Sequence, residues 1–203
     1  MSAPSRSRTA ALIGAVVTGV AVVYTLALLL GRPDPVWAPA LRAVLHLGEL
    51  AALVGLALCG AAGPGAAARW GFAAAAVGQV LLAVAEVLIG SAPDLGGALF
   101  GAGPLLVGLG LVLVGIGVLR TGVWRGWRRG VPLALGTYVF VLMTPVLVAS
   151  GGPPAVPALW ALAGWDVLWF LVGWDVLWFL VAAAVLVEPG RAGSRARAPQ
   201  TAA

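Results

Sequence analysis

The chain has 203 residues, 62% of them hydrophobic and only 9% charged, with a formal net charge of +5. A water-soluble domain carries about 25% charged residues, so a chain with a mean hydropathy of +1.05 has too little polar surface to coat a soluble globule. Its Pro and Gly sit among apolar runs, which excludes a disordered chain. The arginines lie at the ends of those runs, where they set membrane orientation, so nucleic acid is not an expected partner.

Six long apolar runs follow one another, and a helix of about 20 apolar residues crosses a hydrocarbon core of about 30 Å. The expected fold is therefore all-α: a polytopic membrane protein, a six-helix transmembrane bundle. A short N-tail (1–9) carries Arg6 and Arg8. The first span, 10–30, has Ala11, Ala15 and Gly19 at intervals of four, a spacing for close helix contact. It is too long for the usual 7–15-residue core of a signal peptide, so it is expected to remain as a span. Gly31-Arg32-Pro33-Asp34-Pro35 breaks the chain.

The second span, 39–61, places Arg42, His46 and Glu49 at i, i+4 and i+7, on one helix face. Gly63-Pro64-Gly65 leads to the third span, 70–90, where Gln79 and Glu86 share a face seven residues apart. Pro93-Asp94 leads to the fourth, 98–119, with Gly96, Gly103, Gly110 and Gly117 in one row and Gly101, Gly108 and Gly115 in another. Gly71, Gly78 and Ala85 on the third span repeat the same interval, which keeps one seam facing a neighbour. These rows predict close packing with the fourth span at the bundle centre. The loop Val123-Trp124-Arg125-Gly126-Trp127-Arg128-Arg129 has the composition of an interfacial anchor.

The fifth span covers 131–150 and ends at Gly151-Gly152-Pro153-Pro154. The sixth, 157–187, contains the nonapeptide GWDVLWFLV twice in succession, at 164–172 and 173–181. Nine residues turn a helix by about two and a half turns, so the copies point to opposite sides. Only one of Asp166 and Asp175 is then expected inside the bundle. Asp166 is favoured, counted inward from the start of the span, and Asp175 is expected on the opposite side. The tryptophans of this span are expected to pack or face lipid, with Trp165 or Trp169 as candidates for the wall of a pocket. A basic C-tail, 188–203, is expected to be disordered.

Alternating the connections between two faces puts ten of the twelve arginines on one side, with only Arg32 and Arg42 on the other. The positive-inside rule then places both termini in the cytoplasm. Residue usage without Lys or Asn and rich in Ala, Gly, Val, Arg and Pro fits a high-GC bacterium, hence a bacterial cell membrane.

Absent residues exclude several chemistries. Without Lys there is no Schiff base and no phosphate-binding loop lysine. Cys59 is the only cysteine and His46 the only histidine, so intrachain disulfides, HExxH and three-histidine zinc sites and bis-histidine haem sites within one chain are excluded. No cofactor and no enzymatic activity is expected.

What remains is a polar cluster at one depth: Arg42, His46, Glu49, Gln79, Glu86 and Asp166, with Tyr24, Thr25 and Thr144 at a similar level. A charge at a helix centre costs about 2.5–3.5 kcal/mol on insertion scales, so these groups are expected to face inward and pair, with Glu49 and Glu86 approaching each other and His46 within reach. Two functions follow. One is a non-enzymatic structural, regulatory or partner-binding membrane protein, whose partners are the lipid bilayer and either a second copy or another membrane protein. The other is a small carrier or channel subunit with an outward-facing ionisable site at His46, Glu49 and Glu86.

Overall fold

The computed structural model describes the backbone of residues 3–144 and 157–187, and the side chains of 5–144 and 172–187. The described residues are helical, without strands. In chain order the helices are α1 (Ala3–Leu29), α2 (Ala38–Cys59), α3 (Ala66–Leu88), α4 (Pro93–Thr121), α5 (Val131–Tyr138) and α6 (Pro157–Leu186). A short 3₁₀ turn, Gly126–Gly130, precedes α5, and a π-helical turn, Val139–Met143, continues it. Four helices among the described residues are long and apolar enough to cross a membrane: Ser5–Leu29, Ala38–Cys59, Ala66–Leu88 and Pro93–Thr121.

The helix ends follow local chemistry. Pro39 stands in the first turn of α2, where its missing N–H costs nothing. Gly60 stops that helix at φ 73°, and Gly122 stops α4 at φ 62°, a left-handed conformation that glycine adopts without strain. Asp94 in the first turn of α4 and Arg120 in the last complement the helix dipole. Helix α1 begins at Ala3, so the expected N-tail is largely a helical extension.

Apolar side chains cover the outside as well as the core. Leu12, Val16, Val23, Leu58, Val77 and Leu109 are all exposed, as expected where lipid is the solvent. The packing drive must then come from close backbone contact, and the glycine rows supply it. A Cβ on Gly78 would lie 2.6 Å from the Gly103 carbonyl oxygen, and one on Gly71 2.7 Å from that of Gly110. The second row of α4 meets the next helix: a Cβ on Gly115 would lie 2.6 Å from the Leu133 backbone. On the other side of the bundle Gly55 meets Ala11, and Gly14 meets Ala52.

The fourth span is not central. Helix α4 packs against α3 and α5, while α2 touches α1, α3 and α6. Among the described residues, successive helices contact one another in sequence order, and α1 also packs against α6. The two glycine rows of α4 serve its two neighbours, so glycine density marked close contact and not a central position. Thr121 at the end of α4 donates to the Ala61 carbonyl at 2.6 Å, tying α4 to the α2–α3 turn.

The Trp-Arg loop divides between core and surface. Trp124 is buried in the core cluster, whereas Trp127 projects outward. Only the second therefore has the placement of an interfacial anchor. Residues 145–150 of the fifth span, the Gly151–Pro154 break and the C-tail lie outside the described residues.

Candidate functional site

One end of the bundle collects the polar groups. The last turns of α1 and α3, the first turns of α2 and α4 and the π-helical turn after α5 all lie there. Helix α6 passes through the same level at its middle. Between them is a cavity of about 410 Å³, within the roughly 300–1,000 Å³ typical of small-molecule sites. Leu28, Leu45, Leu82, Phe100, Pro104 and Met143 form its apolar walls. Tyr24, Thr25, Arg42, His46, Glu49, Glu86, Trp174 and Asp175 supply the polar groups.

These polar groups form a chain that runs inward from the α1–α2 connection. Asp34, with its side chain 47% exposed, accepts a hydrogen bond from Arg42 Nη1 at 2.8 Å and one from the Tyr24 hydroxyl. Burial works against the Asp34 carboxylate, but the hydrogen bonds from Tyr24 and Arg42 and the Arg42 charge outweigh it and hold the carboxyl below its ordinary range. Arg42 also donates through Nε to Glu86 at 2.8 Å, joining α2 to α3. His46 lies between two carboxylates: Nδ1 is 2.9 Å from Glu49, and Nε2 is 3.9 Å from Glu86. Glu49, only 1% exposed, accepts a 2.6 Å hydrogen bond from the Trp174 indole N–H. Thr25 donates to Asp175 at 2.8 Å, joining α1 to α6.

Arg42, His46, Glu49 and Glu86 thus come together, with His46 between Glu49 and Glu86. Gln79 does not join them. It is fully buried, and neither atom of its amide has a hydrogen-bond partner among the described residues. It shares the helical face of Glu86 yet lies two turns deeper, below the cavity. The Thr144 hydroxyl bonds back to the Val139 carbonyl of its own helix; its neighbour Met143 is the residue of that segment that reaches the cavity.

The expectation for Asp175 is overturned. Asp175, expected on the side opposite the site, lines it instead, and Trp174 beside it forms a wall. The side chain of Asp166, like those of Trp165 and Trp169, lies outside the described residues. Helix α6 is fixed at its C-terminal half, where Trp174, Trp178, Val181, Ala182, Ala184 and Val185 are buried. Counted from that end, Asp175 precedes Leu186 by eleven residues, and Glu49 precedes Cys59 by ten. The two helices run in the same direction, so the two carboxylates fall at one depth. Counting inward from the start of the helix does not reveal that Asp175 lies at this depth.

Two backbone irregularities adjoin the cavity. Pro104 lies inside α4 and cannot donate to the Phe100 carbonyl one turn earlier. Both residues line the site. The π-helical turn ending at Met143 is the other; such turns occur frequently at functional sites. No group of three or more metal-ligating side chains with metal-site geometry occurs among the described residues.

The helices and the buried polar chain define an all-helical membrane protein with an internal ionisable site. Comparisons with protein-family models, curated proteins and solved structures find no match for this chain, so geometry and chemistry alone bear on what the site does.

Proposed function

We propose that this chain is a non-enzymatic six-span protein of a bacterial cell membrane, with both termini cytoplasmic, and that its cavity is the outward-facing solute site of a small carrier or solute-binding subunit. Four helices of membrane-crossing length, together with the apolar runs at 131–150 and 157–187, support the span count. The ten-to-two distribution of arginine supports the orientation. In that orientation Asp34 and the mouth of the cavity face outward.

The observation that carries the solute reading is the joining of the polar chain to an empty volume. A network serving only to orient helices needs no space beside it, and cores normally close up around their side chains. Here Arg42, Glu86, His46, Glu49 and Asp175 all border about 410 Å³. A structural role draws support from the pairing of Arg42 with Glu86 across α2 and α3, and the two roles are compatible.

The test is a thermal-shift screen of purified full-length protein in detergent, with small cationic, neutral and anionic solutes. A ligand of the native state raises the melting temperature by mass action. At least one solute class is expected to stabilise the wild type but not Leu45→Trp, which fills the cavity. No stabilisation by any class, or shifts that persist in Leu45→Trp, would leave the network a purely structural device.

A further inference from the structure

The carboxylates of the site are not equally compensated. Asp34 and Glu86 share the Arg42 guanidinium, and Glu49 has His46. Asp175 is 7% exposed, and among the described residues it forms no ion pair. Its Oδ2 accepts from Thr25, and Oδ1 has no hydrogen-bond partner among the described residues. A buried charge without a partner is costly enough that it is normally paired or neutralised. Even with His46 protonated, the two cations Arg42 and His46 face the three carboxylates Glu49, Glu86 and Asp175 within the cavity.

The space beside Asp175 has the character of a cation site. Trp174, Tyr24 and Phe100 supply aromatic surface, which attracts cations through the ring quadrupole. Leu28, Leu45 and Leu82 supply apolar walls. Volume and walls suit a body larger than a bare ion.

From this arrangement we infer that the cavity binds a monovalent organic cation, an ammonium group on an apolar body, with the ammonium paired to Asp175 and the body against Trp174 and the leucine walls. The assignment rests on the solute-site reading and narrows it to one chemical class.

The experiment compares three probes of one skeleton, 4-phenylbutylammonium, 4-phenylbutanol and 4-phenylbutyrate. Each is titrated calorimetrically into full-length protein in nanodiscs, with empty nanodiscs as the blank for lipid partitioning. The ammonium is expected to bind about tenfold or more tightly than the alcohol and the carboxylate. In Asp175→Asn its affinity should fall to that of the alcohol, whose own affinity stays unchanged. Equal affinity for ammonium and alcohol in the wild type, or a cation preference that survives in Asp175→Asn, overturns the assignment. The wild-type comparison decides the matter even where the variant does not fold. Binding of the alcohol or carboxylate without the ammonium refutes the cation and leaves the solute site standing. Failure of all three refutes the cation assignment, and the broader thermal-shift screen then decides the solute site on its own.

Discussion

Arg42 holds two helices and a loop through one guanidinium, and its removal leaves Glu86, whose side chain is only 8% exposed, with His46 at 3.9 Å as its remaining partner. Breaking a fully buried pair costs about 3–5 kcal/mol. Arg42 is 30% exposed, so Arg42→Ala is expected to destabilise by about 2 kcal/mol after discounting for solvent screening. The double variant Arg42→Met with Glu86→Leu should recover most of that loss, because it leaves no buried charge alone; chemical denaturation in detergent measures both. A double variant no more stable than Arg42→Ala would show that the pair is not what the guanidinium contributes. Asp34 adds a pH dependence of known sign. Its carboxyl is held below the ordinary value by its partners, against the effect of burial. Its contribution to stability is therefore present above the unfolded value of about 3.9 and is lost as pH falls through the lower folded value. The stability difference between wild type and Asp34→Asn should shrink as pH is lowered from about 5 to 3, and a difference that grows on acidification would contradict the hydrogen-bonding assigned to it. At this scale the i, i+4, i+7 spacing of Arg42, His46 and Glu49 was legible, because helical periodicity within one element is enough to place them together. Asp175 and its bond to Thr25 were not, because they depend on the vertical register of α6 against α1, which no local pattern encodes. Gln79 shows the converse: a shared face is visible in sequence, but whether the face opens on a cavity at that level is not.

The elements themselves were largely legible, since a run of apolar residues between Pro-Gly breaks has few alternatives to a helix in this composition. Helices α2, α3 and α4 lie within a few residues of the expected spans. The π-helical turn after α5 had no sequence signal, and the position of α4 could not be inferred from glycine rows that serve two neighbours at once. The seam between α3 and α4 gives a sharp test. A Cβ on Gly78 would meet the Gly103 carbonyl at 2.6 Å and the Val107 backbone nitrogen at 2.9 Å, whereas one on Gly101 meets nothing within 4 Å. Gly78→Ala is expected to cost about 1–3 kcal/mol through overpacking and Gly101→Ala to leave stability unchanged, both read by thermal unfolding; equal effects would place the seam elsewhere. The duplication gives another. Removing 164–172 or 173–181 produces one and the same sequence. The surviving Gly-Trp-Asp segment keeps its distance from the buried end at Val181–Val185, so its aspartate retains the place of Asp175. Helix α6 shortens from 30 residues to a length of about 31 Å, close to a hydrocarbon core of about 30 Å. Folded yield by fluorescence-detected size exclusion should be unchanged or higher, and loss of folded protein would show that the first copy carries an essential contact.

For the whole molecule, the arginine distribution is a signal about sidedness, and in the proposed orientation the end that holds Asp34 and Arg42 is the outer end. Reporter fusions after Arg125 and at the C-terminus are expected to indicate cytoplasm at both positions, and a periplasmic result at either would invert or break the topology. An outward-facing site requires more than this topology: a water-accessible cavity inside the bundle, open to the outer face. Cysteine labelling tests it most directly. The one native thiol, Cys59, is replaced by serine, and single cysteines are placed at Leu45, which is buried in the bundle but lines the cavity, and at Val77, which is exposed on an outer helix face. A membrane-impermeant thiol reagent is then applied to intact cells. Leu45→Cys is expected to be labelled from outside, and Val77→Cys, on an outer face of the bundle, to stay unlabelled. Labelling of Leu45→Cys only after the cells are opened, or its complete protection from both sides, would contradict an outward-facing site.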